Sequence, residues 1–382
     1  MKKPISILLV LLISLFFFNC SKDDVGANEN EVDENEIEAE PFEAVSSATF
    51  PGNKGTDVWG FSRDGKEYAV FGNISSLYRE FYIIEISDSG SPDLISRTPY
   101  AAFDIKLWQN YLYVVDGTHD GSSENSGMIY DIKNPENPVP VGAFPSSHNI
   151  FIDDRGYLYL TGRHLKEGDV EMVFGITIYD LNNDPTNPEL IWSSDESESH
   201  DISVIGERMF DFHGEMGTFI YDVSNPSSPA LLGRANAFVG YDHSGWTTED
   251  GNYLYITNEF ARSQFNITTL GGPDIAIWDI SDVSNPRQIG EIHDNSSRVH
   301  NLYIVDNLAY VSYYSAGLKI FDISAPENPV LIYEYDTDRF LPAQTNDGFN
   351  GAFGVYPFTN SGNIYVSDFS SKLFTFKSVG ND

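Results

Sequence analysis

Cysteine is almost missing from this chain: Cys20 stands alone among 382 residues. An intramolecular disulfide is excluded, and so is a metal cluster built on several thiolates. Positive charge is scarce too, with 22 Lys and Arg against 57 Asp and Glu and a formal charge of −35. Such a chain cannot neutralise a phosphate backbone, so nucleic acid is excluded as a partner and docking on anionic lipid is disfavoured. Divalent cations and neutral or cationic ligands remain compatible. The sequence also lacks a G-x-S-x-G elbow, a phosphate-cradling Gly loop and an H-E-x-x-H pair, which sets aside several hydrolase and nucleotide-binding classes. Histidine is rare, at 8 residues, so the places where it recurs carry information.

Long apolar runs are absent except for one, Ile5 to Phe18, which follows Lys2 and Lys3 and leads directly to Cys20. The run is short for a bilayer span. It resembles a lipoprotein signal peptide over residues 1–19, with Leu-Phe-Phe-Phe-Asn-Cys as its lipobox and Cys20 as the lipidated residue. A lipidated Cys20 leaves no cysteine nucleophile. Ser21-Lys-Asp-Asp24 resembles the surface-export signals of outer-membrane lipoproteins, and the acidic stretch to Glu40 reads as a solvated, self-repelling tether over residues 20–41. The expected location is the outer membrane, held there by a lipid anchor and facing outward.

What the chain has in abundance is short β-rich segments. His300 to Tyr335 reads as four strands, NLYIV, LAYVSYY, LKIFDI and PVLIYEY, separated by turn residues. The third strand and its exit recur as IIEIS at Ile83, IYDIKNPENP at Ile129, IYDLNNDPTNP at Ile178, IYDVSNPSSP at Ile220, IWDISDVSNP at Ile277 and IFDISAPENP at Ile320. In each full copy the Asp is placed to accept N–H groups just beyond it, and the prolines fix φ so that the chain must turn. A seventh, degenerate unit, NIYVSDF and KLFTFK, ends the chain without a fourth strand. Repeats of about 48 residues predict an all-β, seven-bladed propeller of four-stranded antiparallel blades over residues 42–377, with a short tail at 378–382. The spare segment Phe42 to Phe50 is expected to complete the seventh blade, so that no sheet edge stays wide open.

These units resemble LVIVD repeats. Five segments, DVWGF at Asp57, HSGWTTEDGNYLYITNE at His243, IWDISDVSNP at Ile277, HNLYIVDNLAYVSYYSAGLKIFDIS at His300 and FNGAFGVYPFTNSGNIYVSDFSSKLFTF at Phe349, are similar to the choice-of-anchor B family. That resemblance implies an exported propeller with a variable anchor, and no established reaction.

Aligning the first strand of each blade places His148, His200, His243 and His300 at one equivalent position, with Asp57 there in the first blade and Phe103 and Phe353 in the second and seventh. First strands line a propeller's channel, so four histidines should gather at one end of it. The long insertions at 116–126, 163–174, 258–274 and 336–350 emerge on the same face by the alternation of antiparallel strands. Three readings follow. The histidines bond neighbouring blades; or they hold copper or zinc in a metal-dependent enzyme, with Asp201, Glu259 or Glu215 as carboxylate partners; or the mouth binds a protein, glycan or small molecule on Trp246, Tyr241, Tyr313, Tyr314 and Phe353. Asp116 to Glu124 resembles the opening of a Ca2+ loop but lacks the twelfth-position Glu, where Gly127 stands. His213 and Glu215 are expected on the same face, and Trp59, Trp108, Trp246 and Trp278 as packing between blades more than as ligand contacts.

Overall fold

A computed structural model describes residues 41–379, apart from 118–125, 146, 168–169, 195–198, 237–239, 262–270, 295–296 and 339–348. Seven four-stranded antiparallel sheets follow one another along the chain. Their inner strands are Gly55–Arg63, Asp104–Trp108, Asn149–Ile152, Asp201–Ile205, Asp242–Thr247, Leu302–Val305 and Ala352–Tyr356. Each inner strand touches the next in chain order, and the seventh returns to the first, which closes a seven-bladed propeller. Among the described residues there is no α-helix, and none is long and apolar enough to cross a membrane.

The repeated signature explains itself in this setting. Ile83, Ile129, Ile178, Ile220, Ile277 and Ile320 are all fully buried, as are Ile132, Leu181, Val223 and Ile280 on the far side of the signature Asp. Each blade is sandwiched between two others, so both flanking positions must be apolar, and each contributes about 1.5–3 kcal/mol by burial. The Asp between them sits at the strand exit, where Oδ1 accepts the amide two residues on: Asp131 from Lys133 at 2.8 Å, Asp222 from Ser224 at 2.8 Å and Asp322 from Ser324 at 2.8 Å. In the first blade the signature position holds Glu85, one methylene longer than Asp, whose Oε2 accepts from the Lys66 ammonium at 2.9 Å.

A feature with no obvious signal in the sequence repeats with the same regularity. In the first six blades the third and fourth strands slip by one residue directly after the signature Ile, as between Ile220 and Tyr221 or Ile277 and Trp278. Such bulges twist outer strands and blunt their edges. In three blades a glycine stands opposite the slip, and the neighbouring blade's Pro turn packs onto it. A Cβ added to Gly233 would lie 1.7 Å from the Val283 carbonyl oxygen, and one on Gly142 would lie 2.1 Å from that of Thr186. Gly233→Ala should therefore force the fourth and fifth blades apart and cost about 1–3 kcal/mol, read as a lower urea midpoint.

The seventh blade is completed by Phe42–Thr49, which pairs antiparallel with Lys372–Ser378 from Phe42↔Ser378 to Thr49↔Lys372. The closing strand expected from the sequence is in place.

Candidate functional site

Around one end of the channel the inner strands present a closed ring of six aromatic side chains. Phe103 lies 4.8 Å from His148, and successive centroids are 5.0 Å to His200, 4.5 Å to His243, 4.7 Å to His300 and 4.2 Å to Phe353. Phe353 returns to Phe103 at 5.6 Å. The four histidines thus come together as their equivalent positions require.

Asp57 is not in that ring. Its Oδ2 accepts the amide of Ile105 at 3.2 Å, just as Asp104 Oδ2 accepts that of Ile150 at 2.7 Å, so Asp57 corresponds to Asp104 and lies one step past the ring position. The displacement has a physical cause in the slip between Gly55 and Val58 in the first blade's pairing. Thr56 takes the ring position, and its hydroxyl bonds the Ala102 carbonyl.

The ring has two chemical sides. Below it, the residues one step on form a polar layer. Lys106 is buried and held by Asp104 and, at 3.3 Å, by Asp57.

 Its side chain is 6% exposed, against 11% for Asp57 and 9% for Asp104. Burial alone would pull the Lys106 ammonium down, but Asp104 and Asp57 beside it raise it above its ordinary value. Burial also holds the Asp57 carboxyl well above the usual range, helped by Asp104 and opposed by Lys106. Asp201 belongs to this layer, not to the mouth: burial and then Asp104 push it up to about 7. The cavity between the ring and this layer, about 40 Å³, is lined by His148, His243, His300, Asp57, Lys106 and Tyr303 among others. That volume holds on the order of three waters and no organic molecule.

Above the ring stand Glu259 and a half-buried aromatic rim. Tyr241 packs edge-on against His200 at 5.4 Å and Phe260 at 4.8 Å, while Tyr314 contacts His300 at 4.9 Å, Phe349 at 5.3 Å and Phe369 at 6.0 Å. Arg298 lies over Phe260 and Phe349 and donates to the Glu259 carbonyl at 2.9 Å. Tyr314 Oη donates to Glu259 Oε1 at 2.6 Å, and Glu259 Oε2 lies 3.6 Å from His243 Nε2.

Two imidazoles also tie blades together. Nδ1 of His300 donates to the Phe353 carbonyl at 2.7 Å and Nδ1 of His200 faces that of His243 at 3.4 Å. Because a carbonyl only accepts, these contacts place the proton on Nδ1 and leave Nε2 with its lone pair. Burial lowers His200, and lowers His243 well below its ordinary value; burial followed by His243 pushes His300 down to about 3. All three are uncharged at neutral pH.

Other expected site residues do not join the ring, although His213 and Glu215 lie, as expected, on the loop between the second and third strands of the fourth blade. Glu215 is exposed, and His213 is buried against Asp211, with Nδ1 3.2 Å from Oδ2, and against Phe219. Trp246 packs with Phe151, Tyr303 and Phe358, as expected of a packing residue and not of a platform at the mouth, and Tyr313 is fully buried. Most of the Ca2+-like loop, at 118–124, lies outside the described residues; of its start, Asp116 pairs with Arg79 at 3.7 Å. Of the insertions at 258–274 and 336–350, residues 262–270 and 339–348 lie outside them too, whereas 163–174 contains the hairpin Arg163–Glu167 and Val170–Phe174. Lys106, Asp104 and Tyr303 escaped the sequence reading, although a Lys inside the apolar inner strand DIKLW is itself an anomaly that points to a buried partner.

The LVIVD repeat model matches residues 101–144, 199–237 and 298–337, which correspond to the second, fourth and sixth blades. Each match includes one ring residue: Phe103, His200 or His300. Comparison with curated proteins returns no match. A propeller carrying LVIVD repeats fits a binding or interaction module.

Proposed function

We propose that this protein is a lipid-anchored binding module of the cell surface, in the manner of the choice-of-anchor B family, and that its ligand docks on the rim of the channel mouth. The observation that carries this reading is the rim itself: Tyr241, Phe260, Phe349 and Phe369 are half-buried aromatics gathered on one face, above a cavity too small for anything but water or an ion. Half-exposed aromatic faces suit flat apolar surfaces such as those of sugar rings. Lys2, Lys3, the run from Ile5 to Phe18 and Cys20 support the lipid anchor, and the acidic segment to Glu40 supports a tether.

Oligosaccharide arrays probed with wild type, Tyr241→Ala and Phe349→Ala test the rim. Binding that weakens about tenfold or more in both variants, as loss of an aromatic anchor implies, is the expected result. Undiminished binding in both would remove the rim from the ligand site. For the anchor, radiolabelled palmitate should enter wild type and not Cys20→Ala, and equal labelling of the two would refute it.

A further inference from the structure

One group of side chains lies beneath the aromatic rim. His200, His243 and Glu259 each offer a ligand atom, and these atoms all lie within 4.8 Å of one another. We propose that these three residues form a binding site for a divalent transition ion, with coordination positions left open toward the mouth.

The donor set favours such an ion. Two imidazole nitrogens and one carboxylate oxygen suit zinc and its neighbours, and three protein ligands leave room for water or a reactant. Hard cations such as Mg2+ prefer oxygen alone. Two ligands about 2.1 Å from one tetrahedral ion stand roughly 3.4 Å apart, and His243 Nε2 and Glu259 Oε2 are already at 3.6 Å. The wider separations within the group require His200 to swing inward when an ion enters.

The supporting contacts are those a metal site uses. Tyr314 Oη holds Glu259 Oε1 and so aims Oε2 at His243, while the His243 carbonyl faces Nδ1 of His200 and leaves its Nε2 available. Glu259 is 7% exposed and His243 3%. His148 is in the same ring but outside the group, which makes it a control within the same architecture.

The test uses the tag-free mature chain, stripped with chelator and titrated calorimetrically with Zn2+, and with Co2+ followed by its visible absorption. One ion per chain is expected. His200→Phe and His243→Phe should each weaken binding about 100-fold or more; Phe already occupies this position as Phe103 and Phe353, so the ring can still pack. Glu259→Gln, which keeps the Tyr314 contact, should also weaken it and remains informative if a ring variant misfolds. His148→Phe should bind as wild type does. Absence of stoichiometric binding by wild type would overturn the site, as would full binding by both His243→Phe and Glu259→Gln, or equal loss in His148→Phe. The inference goes beyond the rim reading, and its failure would leave the rim variants' behaviour on the oligosaccharide array unaltered.

Discussion

A chain from which residues 42–49 are deleted should lose its cooperative unfolding transition and associate through the edge left bare. In the intact protein Phe42 is 4% exposed and contacts Tyr310 at 6.2 Å and Tyr333 at 5.6 Å, so the closing strand joins the seventh blade to the sixth as well as completing its own sheet. Loss of Phe42 alone is worth about 3–5 kcal/mol. A domain's whole net stability is about 5–15 kcal/mol, and the deletion also removes a full ladder of main-chain hydrogen bonds. The strand Lys372–Ser378, with Leu373, Phe374 and Phe376 buried on it, would become an open edge. Light scattering should show oligomers, and urea unfolding should broaden. Adding a peptide of residues 42–49 should restore a monomer. A truncated chain that unfolds as a sharp monomeric transition at the wild-type midpoint would show that the ring does not depend on this strand. Phe42→Ala is the milder case and should lower stability by about 3 kcal/mol while leaving the monomer intact.

That closure was legible because the seventh unit visibly lacks a strand while Phe42 to Phe50 precedes the first blade with none assigned to it. The signature was legible for a different reason: two apolar positions flanking an Asp must recur wherever a blade meets two neighbours. Local slips were not legible. The irregular pairing between Gly55 and Val58 moves Asp57 out of the ring and into the polar layer below, because one residue of slip turns a side chain toward the opposite side. Alternation also separates His200 from Asp201, which follows it directly but answers to Asp104 and Lys106 on the other side of the ring. Glu259 reaches His243 from the loop after a second strand, and only the fold reveals which of the candidate carboxylates does so.

The polar layer carries the other large expected effect. Lys106→Met should destabilise the protein by about 3–5 kcal/mol, the usual consequence of removing one partner from a buried ion pair. Here one ammonium serves two carboxylates, Asp104 and Asp57, and also lies 4.6 Å from the Trp59 ring. Restoring electrical balance should restore stability, so Asp57→Asn and Asp104→Asn combined with Lys106→Met should recover most of the loss even though the ammonium and both of its partner carboxylates are gone. The pH dependence gives the mechanism a separate readout. Asp57 has a folded pKa raised above its ordinary value of 3.8, so between those two values the folded chain holds a proton that the unfolded chain has released. Its contribution therefore favours folding at acid pH and is lost as pH rises from 3.8 through the folded value. Without the Lys106 ammonium, which lowers it, the folded Asp57 carboxyl is raised further and the same sign holds more strongly. Urea unfolding at pH 5 and pH 8 should thus show the Lys106→Met deficit growing with pH, and the triple variant should flatten that trend. A deficit independent of pH, unchanged by neutralising Asp57 and Asp104, would mean that Lys106 acts through packing on Trp59 and not through charge.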